Sequence, residues 1–320
     1  MNKKLLIILG SIGAVLALLT VEFFLVREYA CETNEDEEEE ESQEEATETE
    51  GLMILIEYKD TVGLTNFVNE LAKRDIPSAL LATPEFVQEN CDTIKKLMEY
   101  DMEIIGSHTE EALWDIPYDE QYEIISEIKT DIEACTGEPL KIVGSRFMAS
   151  DENTAKVADK LGIPYVTARG TTGTKASVYD PEDYDVKLLS ISNIETVEFK
   201  YGSLCDYSYW TREGEPSDME KDLADAVKRY DKVTPVSHTN IGGYIQSWLD
   251  MWIKFWDSNE DIEWLTLDEM MENTDYKMPY YKIPQNHNAP YTPQMLEHVE
   301  SDEHVDEDVV DNPCAVEDLP

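Results

Sequence analysis

From Gly51 onward, short aliphatic runs alternate with longer amphipathic stretches, and this alternation limits the fold more tightly than any other feature of the chain. Met53–Ile56, Ser78–Ala82, Met102–Ile105, Ile163–Thr167 and Val186–Ile191 have strand length and little polar content. The stretches between them space their apolar residues three and four apart. Asp119 to Cys135, for example, places Tyr122, Ile125, Ile128 and Ile132 on one face and stops at Gly137. Helices are also expected from Thr65, from Pro84 to Tyr100 behind a Thr83 cap, and from Asn153 to Leu161 before Gly162. Thr196–Phe199, Val233–Val236 and Ile262–Leu267 read as later strands. Strands alternating with helices predict an α/β fold with a mainly parallel sheet.

Such sheets hold their ligands at the carboxyl ends of the strands. One run, Met102-Glu103-Ile104-Ile105-Gly106-Ser107-His108-Thr109, ends there in a small-residue turn that delivers a histidine. Gly106-Ser107-His108-Thr109-Glu110-Glu111-Ala112 resembles the second motif of the polysaccharide deacetylases (NodB-homology family), H-[ST]-x-x-H, with Ala112 in the place of the second histidine. Gly144-Ser145-Arg146-Phe147-Met148-Ala149-Ser150 stands where that family has R-x-P-[FY]-G, and Thr234–Thr239 where it has a strand ending in a late histidine, here His238. The resemblance covers about Gly51 to Asn273 and implies a distorted, incomplete (β/α) barrel.

It also implies a chemistry. In the family an aspartate and two histidines hold a divalent metal, zinc or cobalt, that polarises an acetamide and its bound water. A second aspartate is the base, the third-motif arginine orients that base, and the late histidine protonates the leaving amine. The first motif, T-F-D-D-G, falls on Glu57-Tyr58-Lys59-Asp60-Thr61. The resemblance therefore assigns Asp60 and His108 to the metal, and Lys59, Arg146 and His238 to the catalytic positions. Lys59 stands where a carboxylate is needed and would place two cations together with Arg146, while Ala112 removes one imidazole. A metal bound there needs another ligand, so a divalent metal and no cofactor at all both remain open.

Composition narrows the partners. The 320 residues are 42% hydrophobic, enough for a core, with a formal net charge of −45 that opposes nucleic acid and anionic lipid surfaces. About half of that excess lies in two tracts, Glu32–Glu50 and Glu297–Asp318. Lys3-Lys4 precedes the apolar run from Leu5 to Val21, which continues after Glu22 through Val26 and ends in bulky residues and Arg27, not in a small-residue cleavage site. This predicts an uncleaved single-pass anchor over residues 1–27, the amino terminus in the cytoplasm and the remainder outside the cell. Residues 28–50 then form an acidic tether, 51–275 the deacetylase-like domain, and 276–320 a Tyr/Pro-rich linker with an acidic, disordered tail holding His298 and His304. Five scattered cysteines form no C-x-x-C pair, and sequence alone does not assign partners to Cys91, Cys135 and Cys205. Trp248, Trp252 and Trp256, four apart, form a helical stripe that reads as core ahead of a sugar-stacking surface.

Three functions are consistent with these features. The first is a membrane-anchored hydrolase that removes acetyl groups from N-acetylated surface glycans. The second is an inactive relative that binds glycan or another envelope component on the same scaffold, and the third is an acidic spacer protein, which leaves the ordered motifs unexplained.

Overall fold

The computed structural model describes residues 49–285 except 109–111, 172 and 197–199, and in addition 309–310, 313–316 and 319. The chain divides into two units, Met1–Ala46 and Thr47–Pro320, and the first lies outside the described residues. The expected anchor and most of the tether fall there. Among the described residues, no helix is long and apolar enough to cross a membrane.

The strands, in chain order, are β1 Glu50–Gly51, β2 Met53–Ile56, β3 Ser78–Ala82, β4 Met102–His108, β5 Ile142–Ser145, β6 Tyr165–Arg169, β7 Ser177–Pro181, β8 Lys187–Ile191, β9 Lys232–Val233, β10 Val236–His238, β11 Glu263–Trp264 and β12 Tyr276–Met278. Nine of them form one sheet in the order β10-β2-β3-β4-β5-β6-β8-β7-β12, and β11-β1-β9 form a smaller one. Every neighbouring pair is parallel except β7–β8, so the predicted parallel α/β sheet is present. Among the described residues β10 and β12 are its outermost strands, with one parallel bridge from Cys205 to Val236 outside β10, and the large sheet does not close on itself, in keeping with an incomplete barrel.

The alternation of side chains along a strand explains the two-faced core. Met53, Leu55, Leu80, Ala82 and Ile104 pack into one buried cluster with the flanking helices. Their sequence neighbours Leu52, Ile54, Ala79, Leu81 and Ile105 pack into a second cluster with Met270 and Met271. Trp248, Trp252 and Trp256 lie buried on the helix Gln246–Ser258, so the tryptophan stripe is core.

Local signals set several helix ends. Gly137 and Gly162 close their helices at φ 78° and 69°, in the left-handed region that glycine enters at least cost. Asp151 accepts from the Asn153 and Thr154 amides and forms a capping box with Thr154.

Several boundaries differ from the sequence reading. The expected helix from Pro84 to Tyr100 breaks at Asn90 into Pro84–Glu89 and Cys91–Met98, with the Asn90 side chain donating to the Phe86 carbonyl at 2.9 Å. Val233–Val236 splits into β9 and β10 around Thr234-Pro235, because proline has no amide for a ladder. Ile262–Leu267 keeps only Glu263–Trp264 as strand, since the Thr266 capping box with Glu269 starts a helix at Leu267. Thr196–Phe199 falls largely outside the described residues. Beyond residue 275, β12 pairs with β7, and the Val310 amide donates to the Tyr244 carbonyl at 2.9 Å. His298 and His304 lie outside the described residues.

Candidate functional site at the carboxyl ends of the strands

Adjacent β10 and β2 end at residues 238 and 56, and the segments that follow them are stitched together. Glu57 is the first residue past β2 and is almost fully buried. Its Oε1 accepts from the amides of Tyr58 and Lys59 at 3.0 and 2.9 Å, and its Oε2 accepts from the Thr239 hydroxyl at 2.6 Å. Burial raises its pKa against the pull of these donors.

Close backbone contact brings these pieces together. A Cβ on Gly63 would stand 2.1 Å from the Thr239 carbonyl oxygen, and one on Gly243 would stand 1.9 Å from the Gly63 oxygen. Glycine is needed at both positions to seat the helix Val62–Ala72 against the turn after β10.

The late histidine is held by three consecutive residues. Cys205 Sγ lies 3.4 Å from His238 Nδ1, Asp206 Oδ1 accepts from the His238 backbone amide at 2.8 Å, and the Tyr207 ring stacks on the imidazole at 4.5 Å and 26°. Burial, with the nearby Lys59 charge, lowers the His238 pKa to about 3, so the ring is neutral at physiological pH. Lys59 itself has a lowered pKa through partial desolvation, with Glu57 and Asp60 opposing the shift. Lys59 follows β2 by three residues, and β2 and β10 pair in register at Ile56 and His238.

Asp206 is fully buried beneath this histidine. Besides the His238 amide, it accepts from the Tyr207 amide at 2.7 Å, the Ser237 hydroxyl at 2.5 Å and the Trp252 indole at 3.1 Å. Burial pushes its carboxyl up to about 7, against four donors that pull it down.

His108 and Arg146 occupy the other part of the strand ends. His108 is the last residue of β4 and pairs in register with Ser145 of β5, directly before Arg146. The side chain of His108 lies outside the described ones, as do residues 109–111. After β5 the chain turns with Phe147 and Met148 at φ 65° and 54°, and the Arg146 guanidinium sits over the Phe147 ring at 5.0 Å. A proline could not take the place of Met148, because its φ is fixed near −65°. The turn therefore departs in backbone, as well as in sequence, from the resembled R-x-P-[FY]-G pattern. β3 separates the Lys59–His238 pair from the His108–Arg146 pair.

The residues do not fit the three-ligand metal centre that the resemblance implies. Asp60 Oδ1 accepts from the Val62 amide at 2.8 Å, and position 112 carries a methyl group. Cys205, Asp206 and His238 present ligand atoms within 4.8 Å of one another, which gives a second candidate. There the Asp206 carboxylate already takes four hydrogen bonds, filling its lone-pair sites, and burial pushes the Cys205 thiol up to about 12. A metal would have to displace those donors and deprotonate the thiol.

Sequence reasoning missed Glu57, Cys205, Asp206 and Tyr207. Glu57 did carry a signal, being an acid placed directly after four aliphatic residues that end a buried strand. Asp206 gave a fainter one as a single acid among Leu204, Cys205 and Tyr207, with no spacing rule tying it to a histidine 32 positions away.

No protein-family model matches the sequence, and no curated protein matches it. Solved structures do match the fold. A protein assigned as a polysaccharide deacetylase from Mycobacterium smegmatis aligns at TM-score 0.58 and 12% identity, over 77% of this chain and 96% of that one. The chain has the polysaccharide-deacetylase fold. A second such protein, from Pseudomonas aeruginosa PAO1, aligns at TM-score 0.54 and 13% identity over 71% of this chain and 91% of its own. Puue allantoinase aligns equally well, at TM-score 0.54 and 14% identity over 72% and 91%. One fold thus carries both polysaccharide deacetylase and allantoinase assignments, so the fold by itself does not name a chemistry.

Proposed function

We propose that this chain is a polysaccharide-deacetylase-like protein that binds N-acetylated glycans at the carboxyl ends of its strands without metal-dependent hydrolysis. The observation that carries the reading is Lys59, near a neutral His238, standing where the resembled chemistry needs a carboxylate base. Tyr58, 43% exposed beside Lys59, offers an aromatic face for a sugar ring. Retained Asp60, His108, Arg146 and His238 at one end of the sheet support a second reading, hydrolysis of the acetamide through a site completed by another ligand.

We further propose that the domain lies outside the cell on a single-pass anchor. The Leu5–Val26 stretch supports this, and so does the Cys91–Cys135 disulfide, a bond that persists in oxidising compartments.

The test uses full-length protein with N-acetylglucosamine oligomers, measuring binding by calorimetry and acetate release with and without zinc or cobalt. Binding without acetate release, weakened in Tyr58→Ala, is expected. Metal-stimulated release by the unaltered protein would establish the hydrolase reading instead. Release appearing only in the double variant Lys59→Asp, Ala112→His would show that the missing base and ligand are what separate this chain from an active enzyme.

A further inference from the structure

His238 is clamped by three consecutive residues, and only one of them touches a ring nitrogen. The Asp206 carboxylate lies 4.0 Å from Nδ1, beyond hydrogen-bond range, and is already committed to four donors. The atom that meets Nδ1 is Cys205 Sγ at 3.4 Å. Tyr207 covers a ring face, and the side chain keeps 15% of its surface open. Nε2 has no hydrogen-bond partner among the described residues and is not among their buried unpaired atoms, so it faces accessible space.

We infer that Cys205 is a positioning residue that sets the tautomer of His238: its thiol donates to Nδ1, which leaves the ring proton on Nε2, and the accessible side of the ring presents a neutral hydrogen-bond donor. The chemistry of the pair supports this direction. A buried thiol is a usable donor and a poor acceptor, whereas an unprotonated imidazole nitrogen is a strong acceptor. Burial also keeps the thiol protonated, so no thiolate competes for an Nδ1 proton.

This tautomer selects a ligand, and here the inference rests on the glycan-binding reading above. Nε2–H is a neutral donor that faces accessible space. Such a donor suits a carbonyl oxygen, such as that of an intact acetamido group. It does not suit the ammonium that replaces it in a de-N-acetylated sugar, which brings donors and no acceptor. The site then recognises the N-acetylated glycan and discriminates against its deacetylated form.

The experiment has two readouts on the full-length protein. Labelling with 15N-histidine and recording long-range 15N–1H correlations shows which ring nitrogen carries the proton, with the His238 signals identified by their loss in His238→Gln. Near neutral pH, His238 should carry its proton on Nε2. Cys205→Ser, which keeps a donor, should preserve that tautomer, and Cys205→Val should shift it towards Nδ1–H. A proton on Nδ1 in the unaltered protein overturns the inference, as does an unchanged tautomer in Cys205→Val. If Cys205→Val fails to fold, the unaltered protein and Cys205→Ser still decide.

The second readout compares N-acetylglucosamine oligomers with glucosamine oligomers in high salt, where general attraction of ammonium groups to this acidic protein is screened. A preference of about tenfold or more for the acetylated oligomer is expected, falling severalfold in Cys205→Val. Equal binding of the two overturns the selectivity. If neither oligomer binds, the glycan reading fails, while the spectra still decide the role of Cys205.

Discussion

The Thr239 hydroxyl donates to Glu57 Oε2 at 2.6 Å and so joins the segment after β10 to the segment after β2, on either side of Lys59 and His238. Glu57 is buried, so removing this donor leaves carboxylate oxygen without its partner. Thr239→Val should cost about 1–3 kcal/mol in chemical denaturation. Glu57→Gln in the same background should recover part of the loss, because it removes the buried charge. Equal stability of Thr239→Val and the unaltered protein would show that the bond holds nothing together.

The approach of Gly63 to Thr239 and Gly243 makes a sharper prediction. A methyl group 2.1 Å from a carbonyl oxygen forces two backbones apart, not a flexible side chain. Gly63→Ala should therefore destabilise by about 1–3 kcal/mol or more. It should also weaken glycan binding, because the displaced turn carries His238. At Gly137, where nothing lies within 4 Å, alanine should cost only the strain of a positive φ, on the order of 1 kcal/mol. Similar costs at the two positions, measured by thermal unfolding, would contradict the packing argument.

These two glycines also show where sequence reading stopped. The strands β2, β3, β4 and β8 were legible because each is a buried aliphatic run, and the glycine-closed helices because their stop signals are local. β7 was not legible, since Ser177–Pro181 contains Asp180 and Pro181 and takes its place only by pairing with β8 and β12. His108 stood out at the end of its strand, whereas Lys59, Asp60, Arg146 and His238 were reached only through the resemblance to the family's motifs. The residues that hold His238 did not stand out, because a buried acid or thiol acquires its role from partners distant in the chain. Asp206 meets Ser237 and Trp252 only after three elements have packed. The backbone approach at Gly63 likewise has no local sequence signature.

The Cys91–Cys135 bond joins the helix Cys91–Met98 to the carboxyl end of the helix Tyr118–Thr136, with a sequence separation of 44. A bridge over a loop of that size should stabilise by about 2–4 kcal/mol through restriction of the unfolded chain. Denaturation of Cys91→Ser and of the reduced protein should show the same loss, with midpoints shifted together. Among the cysteines of the described residues, thiol alkylation of the oxidised protein under denaturing conditions should label Cys205 and Cys314 but neither bridged cysteine. Labelling of Cys91 in protein isolated under non-reducing conditions would count against the bond and against an oxidising location.

Asp206 and His238 impose opposite pH dependences on stability, and single variants should expose each. The Asp206 carboxyl is raised from 3.8 to about 7, so its contribution is full below the unfolded value and is lost as pH rises through the folded one. The His238 imidazole is lowered from 6.5 to about 3, so its contribution is full above the unfolded value and is lost as pH falls through the folded one. Between about pH 4 and 6.5 the two slopes oppose each other, each with a limit of about 1.4 kcal/mol per pH unit. Glu57 shares the sign of Asp206 and is present in every protein compared. Relative to the unaltered protein, Asp206→Asn should lose stability more steeply as pH falls through this window, because only the histidine slope remains of the pair. His238→Gln should lose stability more steeply as pH rises through it, because the carboxyl slope is then unopposed. Urea denaturation at half-unit pH steps measures all three proteins. Parallel curves would mean that neither group changes its proton affinity on folding, and the neutral, clamped histidine on which the binding site depends would fall with that result.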